Sequence, residues 1–79
     1  MEGKRVTILR AGGVASTELY LMPGDTAEQL CTMVAREFGL PEGGTYRLLG
    51  ADGNQITGEV YNVVKEGDKL NLAQIGEGG

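Results

Sequence analysis

The sequence predicts an α+β fold: a mixed sheet of about five strands with one helix packed across it, in the order β-β-α-β-β-β. Three observations lead there. Two alternating segments flank a glycine-containing turn near the N-terminus, one stretch of helical period follows, and short strand-like segments separated by turn residues complete the chain. The 79 residues, 41% of them hydrophobic, suffice for one domain with one modest core. Three tyrosines, one phenylalanine and no tryptophan leave that core to Leu, Val and Ile, which suits a thin sheet covered by a single helix.

Each element has its own signal. In Arg5-Val6-Thr7-Ile8-Leu9-Arg10 the residues Val6 and Ile8 face one way while Arg5 and Thr7 face the other, a half-buried strand. Ala11-Gly12-Gly13 supplies a turn, and the second strand runs through Thr17-Glu18-Leu19-Tyr20-Leu21-Met22, with Leu19 and Leu21 inward. Pro23-Gly24 ends this hairpin. Asp25 stands three residues before Glu28, the spacing of a capping box, and Thr26 is the alternative cap. From Thr26 to Phe38 one helical face carries Ala27, Leu30, Cys31, Val34 and Phe38. Gly39 suits the position just past the helix, and Pro41 prevents continuation.

A third strand is expected at Tyr46-Arg47-Leu48-Leu49, then a tight reversal at Asp52-Gly53 into a short strand at Gln55-Ile56-Thr57. Gly58 to Val64 shows neither period and reads as a loop or a 3₁₀ turn. The last strand is Lys69-Leu70-Asn71-Leu72-Ala73, with Leu70 and Leu72 inward. The division expected is a domain over residues 1–75 and a flexible glycine-rich tail over 76–79.

Composition narrows the function. A net charge of −4 without a basic stripe argues against nucleic acid or an anionic membrane as partner. No apolar run reaches transmembrane length, and Met1 to Arg5 lead into a strand with no signal-peptide core. A single cysteine, Cys31, fits a reducing cytoplasm and reads as a small buried hydrophobe. With no histidine and one cysteine, neither a zinc site nor a Cys/His or Ser/His nucleophile can be assembled, so no catalytic or metal-binding residue is expected.

The residues then resemble ubiquitin and its relatives over nearly the whole chain. Pro23-Gly24-Asp25-Thr26 is similar to the Pro-Ser-Asp-Thr that leads into the ubiquitin helix, and Gly39-Leu40-Pro41 to the Gly-Ile-Pro that follows it. Arg47-Leu48-Leu49 resembles Arg-Leu-Ile, Tyr61-Asn62-Val63 followed by Lys65 resembles Tyr-Asn-Ile-Gln-Lys, and the chain closes on Gly78-Gly79. There are departures too. The tail Gln74-Ile75-Gly76-Glu77-Gly78-Gly79 lacks the family's Arg and Leu, Asn54 stands at the position of a chain-forming lysine, and Cys31 and Met33 replace two helix lysines. The resemblance is to a divergent member, bacterial or archaeal, of the β-grasp, ubiquitin-like superfamily.

What the resemblance implies is a monomeric protein modifier that is a substrate and not a catalyst. Its reacting group would be the α-carboxylate of Gly79, reached through Gly78 because residues without Cβ pass a narrow channel. An E1-like enzyme would activate it with ATP, which the partner consumes, so the chain itself needs no cofactor. An E2-like enzyme, target proteins and a JAB-type or other deconjugating protease would be the further partners. Leu49, Ala73 and Val14 would form an apolar partner-binding patch. Glu77 would set which activating enzyme accepts the tail. By the resemblance Lys65 would be the acceptor for a second copy; Lys4 and Lys69 are also expected to be exposed, and for all three lysines a solvated charge is the simpler reading. Two rival readings share the fold: a sulfur carrier with a C-terminal thiocarboxylate, and a binding module that is never conjugated.

Overall fold

A computed structural model describes residues 3–41 and 43–76. The elements are β1 (Lys4–Arg10), β2 (Ser16–Leu21), α1 (Ala27–Glu37), β3 (Thr45–Leu49), β4 (Gln55–Ile56) and β5 (Lys69–Gly76). They form one sheet in the order β2-β1-β5-β3-β4, mixed because β1 and β5 run parallel while the other neighbours are antiparallel. Helix α1 lies across one face. The expected α+β architecture, the β-grasp, is the one observed.

Alternation sorts the sheet. Val6 and Ile8 of β1, Leu21 of β2, Leu48 of β3 and Leu70 and Leu72 of β5 are buried beneath the helix, which contributes Ala27, Leu30, Val34 and Ala35. Ala35 completes the helical face predicted from Ala27, Leu30, Cys31, Val34 and Phe38. Among the described residues no polar or charged side chain is fully buried, so the core is held by apolar packing alone.

The helix is closed by its own sequence. Thr26 caps it: its Oγ1 accepts from the Gln29 amide at 3.3 Å, and the Gln29 Oε1 accepts from the Thr26 amide at 3.1 Å. The Asp25/Glu28 alternative is not used, because the Asp25 carboxylate turns back to accept from the Met22 amide at 2.9 Å. At the other end Gly39 takes φ +72°, donating to the Arg36 carbonyl at 3.1 Å while Leu40 donates to that of Ala35 at 2.8 Å, a Schellman closure.

Three expectations change. Residues Gly58 to Val64 form turns, as read, but they carry core: Val60 is fully buried and Val64 nearly so. Strand β5 runs past Ala73 through Gly76, which pairs with Thr45 after a bulge that leaves Ile75 unmatched. Gly76, placed in the tail on composition, is thus within the sheet. Lys4, expected as an exposed charge, is half-buried, and its ammonium donates to the carbonyls of Tyr61 at 2.6 Å and Val64 at 3.0 Å. It also sits 4.2 Å from the centroid of the Tyr61 ring. The carbonyls of an irregular segment need a donor when its turns cannot supply one, and Lys4 is that donor.

Candidate interaction surface

The face of the sheet turned away from α1 follows from register. Leu9 pairs with Ser16 on one side and Asn71 on the other, and Asn71 pairs with Leu49, which pairs with Gln55. The outward row therefore reads Ser16-Leu9-Asn71-Leu49-Gln55. One step along the strands Ala73 stands opposite Arg47. Leu9, Leu49 and Ala73, all partly exposed, surround Asn71, while Ile75 is exposed further along β5.

Leu49 and Ala73 are thus diagonal neighbours on the outer face. Val14 is on the β1–β2 loop and fully exposed, so it packs against neither of them. Leu9 stands on the same face, a residue the expected set of Leu49, Ala73 and Val14 does not include. The signal was present, because the alternation that buries Val6 and Ile8 sends Leu9 outward with Arg5 and Thr7. Asn71 and Arg47 interrupt the apolar surface, leaving separated contacts in place of a continuous patch.

Among the lysines, Lys65 and Lys69 are exposed. The amide of Lys65 donates to the Asp68 carboxylate at 2.9 Å, which fixes the turn into β5 and leaves the side chain outward. The Cys31 thiol is half-buried, and burial pushes its pKa up, with the negative Glu28 nearby adding to the rise. Such a thiol is a packing group at neutral pH. Gly78 and Gly79, the expected reacting end, and Glu77, the expected specificity residue, lie outside the described residues. Among the described residues no group of three or more His, Cys, Asp or Glu side chains is placed to hold a metal ion, and no helix is long and apolar enough to cross a membrane.

No protein-family model matches the chain, and no curated protein does. Solved structures do. The ubiquitin of Caldiarchaeum subterraneum is similar at a TM-score of 0.76 and 28% identity, over 98% of this chain and 99% of that one. A ubiquitin-like protein from the same hyperthermophilic archaeon matches at 0.56 and 27%, over 94% and 99%. The UBL domain of Plasmodium falciparum Dsk2 matches at 0.71 and 18%, over 92% and 99%, which speaks for the fold alone. Register, helix closure and these likenesses agree: the chain has the ubiquitin-like β-grasp fold, and archaeal ubiquitin-like proteins are among its neighbours in solved structures.

Proposed function

We propose that this chain is a ubiquitin-like modifier, joined through the Gly79 carboxylate to amines of target proteins. The observation that carries the reading is the end-to-end likeness to an archaeal ubiquitin in a chain whose β5 leads directly into Glu77-Gly78-Gly79. A carboxylate is a poor electrophile. An E1-like partner would join it to the α-phosphate of ATP, releasing pyrophosphate, and its cysteine thiolate would then displace AMP to give a thioester. A lysine amine attacks that thioester, the thiol departs, and an isopeptide bond remains. The chain contributes the acyl group and a docking face, and catalysis belongs to its partners.

The outer face supports the docking part. Leu9, Leu49 and Ala73 offer apolar contacts around a hydrogen-bonding Asn71, beside Arg47. An E2-like enzyme, a JAB-type protease or a target would meet the chain there. Lys65 and Lys69 are the accessible acceptors within the chain, and Lys4 is occupied.

Mass spectrometry on conjugates from the native cell tests the proposal. No Lys or Arg follows Lys69, so trypsin would leave Leu70 to Gly79 on the modified lysine, whereas cleavage after Glu77 would leave only Gly78-Gly79. Lysines bearing both remnants are the expected result. A terminal thiocarboxylate with no such lysines would replace the modifier with a sulfur carrier, and an end that is never modified would leave a binding module. Within the modifier reading, Glu77→Arg is expected to slow adenylation by the cognate E1, and an unchanged rate would remove Glu77 from recognition.

A further inference from the structure

Strand β5 changes character at Ala73. Up to that residue it is anchored from both sides. It pairs with β1 from Lys69 to Leu72, faces Leu49, Leu48 and Arg47 of β3 in unbroken register, and buries Leu70 and Leu72. Beyond Ala73 only the pairing with β3 continues. Gln74 faces Tyr46, Ile75 is left over at a bulge, and Gly76 faces Thr45. Gln74 and Ile75 are exposed, and Gly76 has no side chain to bury.

The two sides of this last stretch are unequal. Tyr46 packs against the core and its phenol donates to the Pro41 carbonyl, so β3 keeps its place whether or not β5 lies beside it. The β5 side can leave without taking an apolar group out of the core, and Gly76 is a weak strand former. The bulge marks the point of separation, because beyond it one residue pair holds the ladder among the described residues. Reach is set by this pairing. From Gly76 to Gly79 three residues extend at most about 10 Å, and from Ala73 six extend at most about 20 Å. A chain still paired with β3 is also wider than a single strand by about 5 Å. A channel that selects residues without Cβ does not admit Thr45 alongside them.

We propose that Thr45 and Tyr46 form a clasp: paired with Gly76 and Gln74 they hold the reacting end back, and an enzyme acting at Gly79 takes only the open form, with residues 74–76 lifted off β3. The enzyme comes from the modifier reading, whereas the clasp belongs to the fold and is measurable without it. Thr45 and Tyr46 are positioning residues. They touch no reacting atom and set the fraction of chains whose end a partner can seat, which scales its apparent affinity by that fraction.

The test is cleavage of the folded protein after Glu77 by a glutamyl endopeptidase, read by mass spectrometry as loss of Gly78-Gly79. Proteases take their substrates as unpaired chain, so the rate samples local opening. In a Cys31→Ala background, Thr45→Cys and Gly76→Cys put thiols on facing residues, about 4.5–5.5 Å apart at Cα and within disulfide range. The oxidised protein should be cut about tenfold or more slowly than the same protein reduced. Thr45→Gly, which leaves the tail sequence intact, should speed cleavage by about two- to fivefold with amide exchange at Leu70 and Leu72 unchanged. Equal rates for the oxidised and reduced forms, or cleavage that tracks global unfolding in urea, would overturn the clasp. In dialysed lysate of the native cell with ATP, the reduced form should enter conjugates and the oxidised form should not. Equal conjugation of the two would overturn the claim that enzymes need the open form. Conjugates from neither form nor from the unsubstituted chain would count against the modifier reading alone, and the cleavage rates would still decide the clasp.

Discussion

Helix α1 and the segment Gly58 to Val64 face each other across Thr26, which pairs with Glu59, yet they are stabilised in opposite ways. Apart from the Ala27 amide, which donates to the Gly58 carbonyl, the helix closes its ends with neighbours in sequence: Thr26 with Gln29, Gly39 with Arg36, Leu40 with Ala35. The segment depends on distant groups. Its Gly58 carbonyl is taken by Ala27, its Val60 amide donates to Asp25, and its Tyr61 and Val64 carbonyls are met by an ammonium some sixty residues away. Both place apolar groups in the same core. An element with local closure survives small insults one at a time, whereas one closed by a few long-range contacts has its stability concentrated in those contacts.

Substitutions can break or sharpen that contrast. The largest expected effect is at Val60. It is 0% exposed, and Val60→Ala should cost about 2–3 kcal/mol, the removed methyl groups plus the cavity they leave. Val63, three residues on and 63% exposed, should tolerate alanine within about 0.5 kcal/mol. Urea unfolding of the pair measures the difference, and similar costs would mean that the segment does not anchor through Val60. Next comes Lys4→Met, which keeps the aliphatic stem and removes the donor. About 1–2 kcal/mol is expected, after discounting for partial exposure, with faster amide exchange at Val60 and Val63 and unchanged exchange in the helix. A uniform acceleration would show instead that the segment and the helix open as one unit.

Thr26→Ala should cost about 1 kcal/mol, lowering the melting temperature by roughly 4–8 °C for a domain of this size. The smallest effect is at Arg5 and Glu66, whose side chains meet at 3.9 Å with both largely exposed. Arg5→Gln should change stability by less than about 1 kcal/mol, and less still in high salt. A larger loss would mean that the bond from the Arg5 amide to the Glu66 carboxylate, at 2.7 Å, had been lost with it.

The same contrast governs how much could be read from the chain. Period and punctuation are local, so the hairpin, the helix with its Gly39 stop, and the Asp52-Gly53 reversal were legible. Leu49 and Ala73 were legible as outward residues because alternation alone places them, and Leu9 follows by the same rule. What failed was long-range. Nothing near Lys4 announces that Tyr61 and Val64 will need a donor. Nothing near Val60 supplies a period. Gln74 and Gly76 are poor strand residues, and they pair because Tyr46 and Thr45 lie opposite with a bulge to absorb the mismatch.

The parallel pairing of the first and last strands has a mechanical consequence. Lys4 opens β1 at one end of the ladder, and Gly76 closes β5 at the other. A force applied between the two chain ends therefore slides β1 and β5 past each other along their length. The hydrogen bonds around Thr7 to Arg10 and Lys69 to Leu72 share that load together and do not open singly, as they would in a hairpin unzipped from its free end. A domain pulled through its first and last strands is thus loaded in shear.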